Sequence, residues 1–275
     1  MLKRFVIIGI LIILILPLQS VVSIKNNAQN INNSEISSQN IDADIFSMIN
    51  KINHSILFGY LDKVVSFGIR PVGSENCRLA AEYINDEFQN LALDSSMEEW
   101  KYRKYRCRNV VATHEGVDSN SDAVIVLTAH LDTKGESVGA NDDASGVATI
   151  LTIANITSKY HFNHTIKFVI VSGEEIGTFG SFDYAEKAYR RNENIIANIN
   201  LDSIGNSTCG NILQARVPDR SHNLYNSIKE ISENYEEIID MEVQLTSNTL
   251  IDSQAFVDYG YDGTWNTGLD VFFRF

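Results

Sequence analysis

Cysteine is scarce in this chain of 275 residues, and the three present, Cys77, Cys107 and Cys209, fall in no spacing that reads as a soft-metal site. An odd count leaves at least one of them without an intramolecular partner; a Cys77–Cys107 bridge is a pairing that the spacing neither requires nor forbids. Positive charge is in deficit as well, with 22 Lys and Arg against 35 Asp and Glu, a formal net charge of -13. That balance argues against nucleic acid and anionic surfaces as partners, because both would be repelled. The chain also lacks an apolar run of the about 20 residues that a spanning helix requires. Its apolar stretch FVIIGILIILIL follows the basic MLKR and precedes the small residues of SVVS, the order of a secretory signal cleaved after Ser23. A membrane is a partner only if residues 1–23 are retained as an anchor. In either case the rest of the chain is expected to be exported, secreted or held outside the cytoplasm.

Residues 24–44 are polar and asparagine-rich, the composition of a flexible leader, and residues 45–275 are long enough for one sizeable core. FSMINKINHSILFGYLDKVVSF places apolar residues at intervals of three and four and predicts one helix. GIRPVGSEN is a turn-rich break, and CRLAAEYINDEFQNLAL predicts a second amphipathic helix. WKYRKYR interleaves aromatic and charged residues, and its surroundings read as two strands.

Three later segments share one design. SDAVIVLTAH, TIKFVIVSGEE and NIIANINLD each run apolar and end in histidine, paired glutamates or aspartate. Near-continuous β-branched runs predict buried strands of a largely parallel sheet, with DASGVATILTIANITSKY and SFDYAEKAYRRN as the intervening helices. The class is therefore α/β, a three-layer sandwich with a mostly parallel central sheet. His130, Glu174, Glu175 and Asp202 then leave the sheet at the carboxyl ends of strands, where open α/β sheets place their ligands.

The types of these residues define a chemistry. Asp132 follows His130 by two, so in an extended segment both face one side, and its carboxylate is placed to hold the second ring nitrogen. Asp142 and Asp143 precede a helix, where one aspartate suffices as a cap and the other is left over as a ligand. Gly135, Gly139 and Gly146 permit tight turns or close backbone approach. Adjacent Glu174 and Glu175 repel unless a cation relieves them, and one can bind metal while the other moves a proton. Imidazole and carboxylate donors without cysteine suit Zn2+, one or two ions, and two such ions together favour amide hydrolysis.

HLD, VGANDDASGVA, SGEEIGTFGS and NLD, in this order, resemble the M28 family of metallo-aminopeptidases, and GIRPVGSEN is similar to that family's opening segment. The resemblance implies a mixed sheet of about eight strands between helices and removal of N-terminal residues from peptides or small proteins with a free N-terminus. It implies His130 and Asp202 on one zinc, Asp142 bridging, Glu175 on the second zinc, Glu174 as general base and Asp132 orienting His130. The C-terminal part departs from the family. In IDSQAF, Ser253 stands where the family has its last ligand histidine, and in WNTGLD, Asn266 replaces another histidine. Asp252, beside the vacated position, is the candidate substitute, ahead of His222. The chain stops at Phe275, where relatives continue into a final helix. Two readings follow: a metallopeptidase with one or two ions, or an exported domain of the same fold that binds peptide without cutting. Phe179, Phe256 and Tyr259 are the candidate walls of a side-chain pocket.

Overall fold

The computed structural model describes residues 44–205, 211–216, 222–247, 251–261 and 269–272. The expected signal at 1–23, the leader up to residue 43, Cys209 and Asn266 lie outside the described residues, as does the side chain of His222. Among the described residues, no helix is long and apolar enough to cross a membrane.

The first expected helix is two. Residues 44–50 are helical, the chain turns, and α1 (His54–Ser66) restarts because the Asn53 side chain accepts the Ser55 N–H as an N-cap. α2 (Glu75–Asn90) begins at Ser74, whose side chain accepts the Cys77 N–H. β1 (Asp94–Tyr102) and β2 (Tyr105–His114) form an antiparallel hairpin. β3 (Ala123–His130), α3 (Ala144–Thr157), β4 (Thr165–Val171), α4 (Phe179–Arg190) and β5 (Asn194–Leu201) supply the alternating α/β core. β6 (Ile212–Arg216), α5 (His222–Asn234), α6 (Glu236–Ile239), β7 (Glu242–Ser247), α7 (Ser253–Asp258) and β8 (Leu269–Phe272) complete the chain.

The strands join in one mixed sheet, ordered β1-β2-β4-β3-β5-β8-β6-β7. β4, β3, β5 and β8 are parallel neighbours, so their carboxyl ends form one edge. β2 runs antiparallel to β4, with Val110 opposite Ile170, and its first four residues therefore pass beyond the end of β4. The hairpin overhangs the carboxyl edge.

Helices cover both faces. α1, α2, α3 and α5 pack on one face around Leu57, Ile84, Ile150 and Ile228; α4 and α7 pack on the other around Tyr184 and Phe256. α3 is buried on nearly every side because it lies between the sheet and α1, which explains its lack of a polar face.

Candidate metal centre

The alternation along β3 decides where its last residue points. Ile125, Leu127 and Ala129 enter the larger core and Val124 and Val126 the smaller, so Thr128 and His130 follow the latter. On β5, Ala197, Ile199 and Leu201 take the larger core, leaving Asn198, Asn200 and Asp202 on the face of His130. Parallel register sets Thr128 beside Asn200, with their side chains bonded at 3.0 Å. Two residues further on, His130 Nε2 lies 3.8 Å from Asp202 Oδ1.

Asp142 closes the group, with Oδ1 2.9 Å from His130 Nε2. Donor atoms of His130, Asp142 and Asp202 all lie within 4.8 Å of one another. One imidazole nitrogen and two carboxylate oxygens at this spacing fit a zinc-like ion and leave a coordination position open. His130 and Asp202 are buried, whereas the Asp142 side chain is half exposed.

Asp143, joined to Asp142 by a cis peptide, is fully buried and has a different task. As N-cap of α3 its Oδ1 accepts the N–H of Gly146 at 2.9 Å and of Ser203 at 3.2 Å, and its Oδ2 accepts the His130 N–H at 3.2 Å. Two close approaches admit these segments: a Cβ on Gly146 would meet the Leu201 carbonyl oxygen at 2.2 Å, and one on Gly139 the Asp142 carbonyl oxygen at 2.4 Å.

The Asp132 carboxylate is directed mainly at the backbone after β4. Oδ1 accepts the N–H of Gly173 at 2.7 Å and of Glu174 at 3.2 Å, and Oδ2 that of Glu175 at 3.2 Å. His130 Nδ1 is 3.1 Å from the main-chain oxygen of Asp132 and 3.7 Å from its Oδ1. One buried residue thus holds both the imidazole and the paired glutamates. The ring nitrogen thus lies nearer the Asp132 main-chain oxygen than its carboxylate, which also accepts three backbone N–H groups.

The remaining candidates separate. Glu175 pairs with Lys134, Oε2 to Nζ at 3.5 Å, and does not join the three-residue group. Asp252 is fully buried, and its Oδ1 accepts the Ser181 hydroxyl at 2.6 Å; it too lies outside that group. Ser253 is buried at the start of α7.

Burial raises Asp202 and Glu175 above the ordinary carboxylate range and pushes Glu174 up to about 7, the Asp202, Asp132 and Glu175 charges adding to it. Burial opposes the charged form of His130, but Asp132 and Asp142 outweigh it and hold the ring well above its usual value. The bond to His130 holds Asp142 low.

Arg70 was not among the expected site residues. Fully buried, it donates Nε to the Leu131 carbonyl at 2.9 Å and Nη1 to those of Gly68 and Val138 at 2.9 and 2.8 Å. Its backbone exchanges bonds with Thr133, so the GIRPVGSEN turn braces the loop between His130 and Asp142. The available signal was a single arginine inside a turn-rich break.

Trp100 of the overhanging hairpin donates Nε1 to Ser172 Oγ at 2.9 Å, and Tyr102 stacks on Phe179 with ring centroids 4.0 Å apart. These residues, with Phe182 and Tyr259, line a cleft of about 340 Å³ reaching Gly177. Phe179 and Tyr259 are therefore walls, but Phe256 is not: it is fully buried against Tyr184. A larger cleft of about 910 Å³, lined by Tyr225 and Lys229, lies by β6 and β7, away from His130.

Residues 109–268 match the sequence profile described as Peptidase family M28. A probable zinc metalloprotease of Pyricularia oryzae is 30% identical over 200 residues, covering 63% of this chain and 40% of that protein. The chain spans less than half the length of the first curated relatives it matches, at 40% and 45%. Among solved structures, BSAP, a zinc aminopeptidase from Bacillus subtilis, superposes with a TM-score of 0.67 at 15% identity, covering 80% of this chain and 84% of that one. A glutaminyl cyclase from Porphyromonas gingivalis gives 0.68 at 16% identity over 80% and 82%. At these identities the likeness establishes a shared mixed α/β fold.

Proposed function

Because this chain belongs to peptidase family M28, we propose that it hydrolyses peptide bonds at a zinc centre and removes residues from free N-termini, with Glu174 as general base. The observation that carries this reading is the convergence of His130, Asp142 and Asp202 at the sheet edge where Asp132 holds the Glu174 backbone. When bound, zinc supplies Lewis-acid polarisation of the scissile carbonyl and lowers the pKa of water to about 7.

The chain's own residues account for the rest. His130 offers the Nε2 lone pair while Nδ1–H donates to the Asp132 main-chain oxygen, which fixes the tautomer. Glu174 takes a proton from the attacking water at a carboxylate oxygen and returns it to the leaving amine nitrogen as the C–N bond breaks. The chain's net charge of -13 favours the approach of a substrate ammonium group, modestly at physiological salt. Export to act on peptides outside the cytoplasm rests on the MLKR, apolar and SVVS order alone, and N-terminal sequencing of the secreted chain checks it.

The test uses zinc-loaded chain with a leucine anilide and with one tetrapeptide, free or N-acetylated. The free forms are expected to be hydrolysed and the acetylated form spared. Glu174→Gln should retain zinc and lose activity by about 10²-fold or more. Undiminished turnover in that variant would remove Glu174 from the mechanism. A second reading, a domain that binds peptide ends without cutting, draws on Ser253 at the family's histidine position; retained zinc without turnover in the wild type would favour it.

A further inference from the structure

The donor set at the sheet edge is complete for one ion and short for two. We infer that this centre holds a single transition metal, and that the Lys134 ammonium, paired with Glu175, takes the charge-balancing place of a second ion beside Asp142. The inference rests on the zinc-peptidase reading above and specifies what that centre contains.

Three observations carry it. His130, Asp142 and Asp202 form one compact donor group, and Glu175 is not part of it. The position at which the family motif would supply a second imidazole is Ser253, a neutral and much weaker zinc donor, buried at the first turn of α7. Its neighbour Asp252 has Oδ1 on the Ser181 hydroxyl and a buried, unpartnered Oδ2, but it lies outside the three-residue donor group. Among the described side chains, the other histidines lie elsewhere: His114 packs on Phe162 and His164 bonds Ser121, both at the opposite edge of the sheet, His161 is exposed in the segment ahead of β4, and His54 sits on α1 against Phe58. Finally, Lys134 Nζ stands 3.5 Å from Glu175 Oε2.

An ammonium group has three donors and no lone pair, so it cannot ligate a metal, but it balances carboxylate charge. An ion bound to the same Glu175 oxygen at about 2.0–2.2 Å would lie within about 6 Å of Nζ, where like charges repel. The ammonium stands on the one carboxylate that the resemblance assigns to a second ion alone, Glu175. The Lys134 side chain is 78% exposed, so it is screened and displaceable, and its effect should appear as a changed affinity and not as an absolute block.

The experiment measures zinc per chain, by elemental mass spectrometry and by titration, in the full chain and in Lys134→Arg and Lys134→Met. Lys134 is exposed in a loop, so neither variant should disturb folding. The expected result is one zinc in the wild type and in Lys134→Arg, with Lys134→Met binding a second zinc about tenfold more tightly than the wild type does. Two tightly held ions in the wild type would overturn the inference and leave the zinc-peptidase reading intact. No zinc in the wild type would overturn that reading itself. One zinc throughout, with the second equally weak in all three, would remove Lys134 from the account.

Discussion

The Asp132 carboxylate accepts the backbone N–H of Glu174 at 3.2 Å, within a set of three consecutive N–H groups that it holds together. A residue two positions after His130 thereby fixes where the paired glutamates stand. In Asp132→Asn one acceptor oxygen becomes a donor facing an N–H. Activity on a leucine anilide should fall by about 10–100-fold while zinc stays bound. Wild-type turnover in this variant would contradict the positioning role.

Adjacent Asp142 and Asp143 should respond oppositely to the same substitution. Asp142 faces His130 Nε2 from a half-exposed position, so Asp142→Asn should lose bound metal at little cost to folding. Asp143 is buried and accepts three backbone N–H groups, so Asp143→Asn should keep most metal and lose about 1–3 kcal/mol of stability. Zinc content and urea unfolding of the two variants decide; equal metal retention would sink the assignment of Asp142 as ligand.

The metal-free protein should lose stability as pH rises from 5 to 8. Burial raises Glu174 to about 7 and holds Asp143, Asp202 and Asp252 above their ordinary values. Their protonated forms stabilise the fold below the unfolded carboxyl value of about 4, and that contribution is lost as pH rises through the folded values. His130, also raised, adds stability that is full below about 6.5 and lost as pH rises through its folded value. Asp142 runs the other way, but its window lies at lower pH. The Tm of chelator-treated protein is expected to drop by about 5 °C across this range, and added zinc should raise Tm more at pH 8 than at pH 5. A flat or rising Tm without metal would be inconsistent with buried, protonated carboxyls.

Cys77 and Cys107 stand as free thiols with sulfurs 3.6 Å apart. The contact with Cys77 brings the Cys107 thiol down to about 6, which favours its thiolate at neutral pH. Iodoacetamide should alkylate Cys107 with a midpoint near pH 6, and Cys77→Ala should move that midpoint up toward the ordinary value of about 8.5. An unshifted profile would rule out the thiol–thiol contact as the cause.

The strands that lead to the candidate site were legible because their apolar runs are uninterrupted and end abruptly in ionisable residues. β3, β4 and β5 follow SDAVIVLTAH, TIKFVIVSGEE and NIIANINLD closely. The break at Asn53 was hidden because the apolar spacing continues across it, and only the cap geometry shows that the helix restarts. Asp132 and Arg70 had types and positions that could be read, but their partners are backbone groups tens of residues away, and side-chain pattern does not encode these. Lys134 meets Glu175 because a glycine-containing loop turns back over the sheet edge, a tertiary fact without sequence periodicity. Phe256 looked like a pocket wall by position, yet the smaller core needed its volume.

The three bonds of Asp143 bear on the order in which this protein assembles. They reach His130, Gly146 and Ser203, residues from the end of β3, the start of α3 and the segment after β5. Each is a proposed ligand or a near neighbour of one along the chain: His130 itself, Gly146 four residues after Asp142, and Ser203 directly after Asp202. The donor group therefore cannot close until a strand, a helix and a second strand some 70 residues away in sequence have docked, because local structure alone brings no two of the three elements together. A chain that holds an ion on all three donors therefore has the middle of its sheet built.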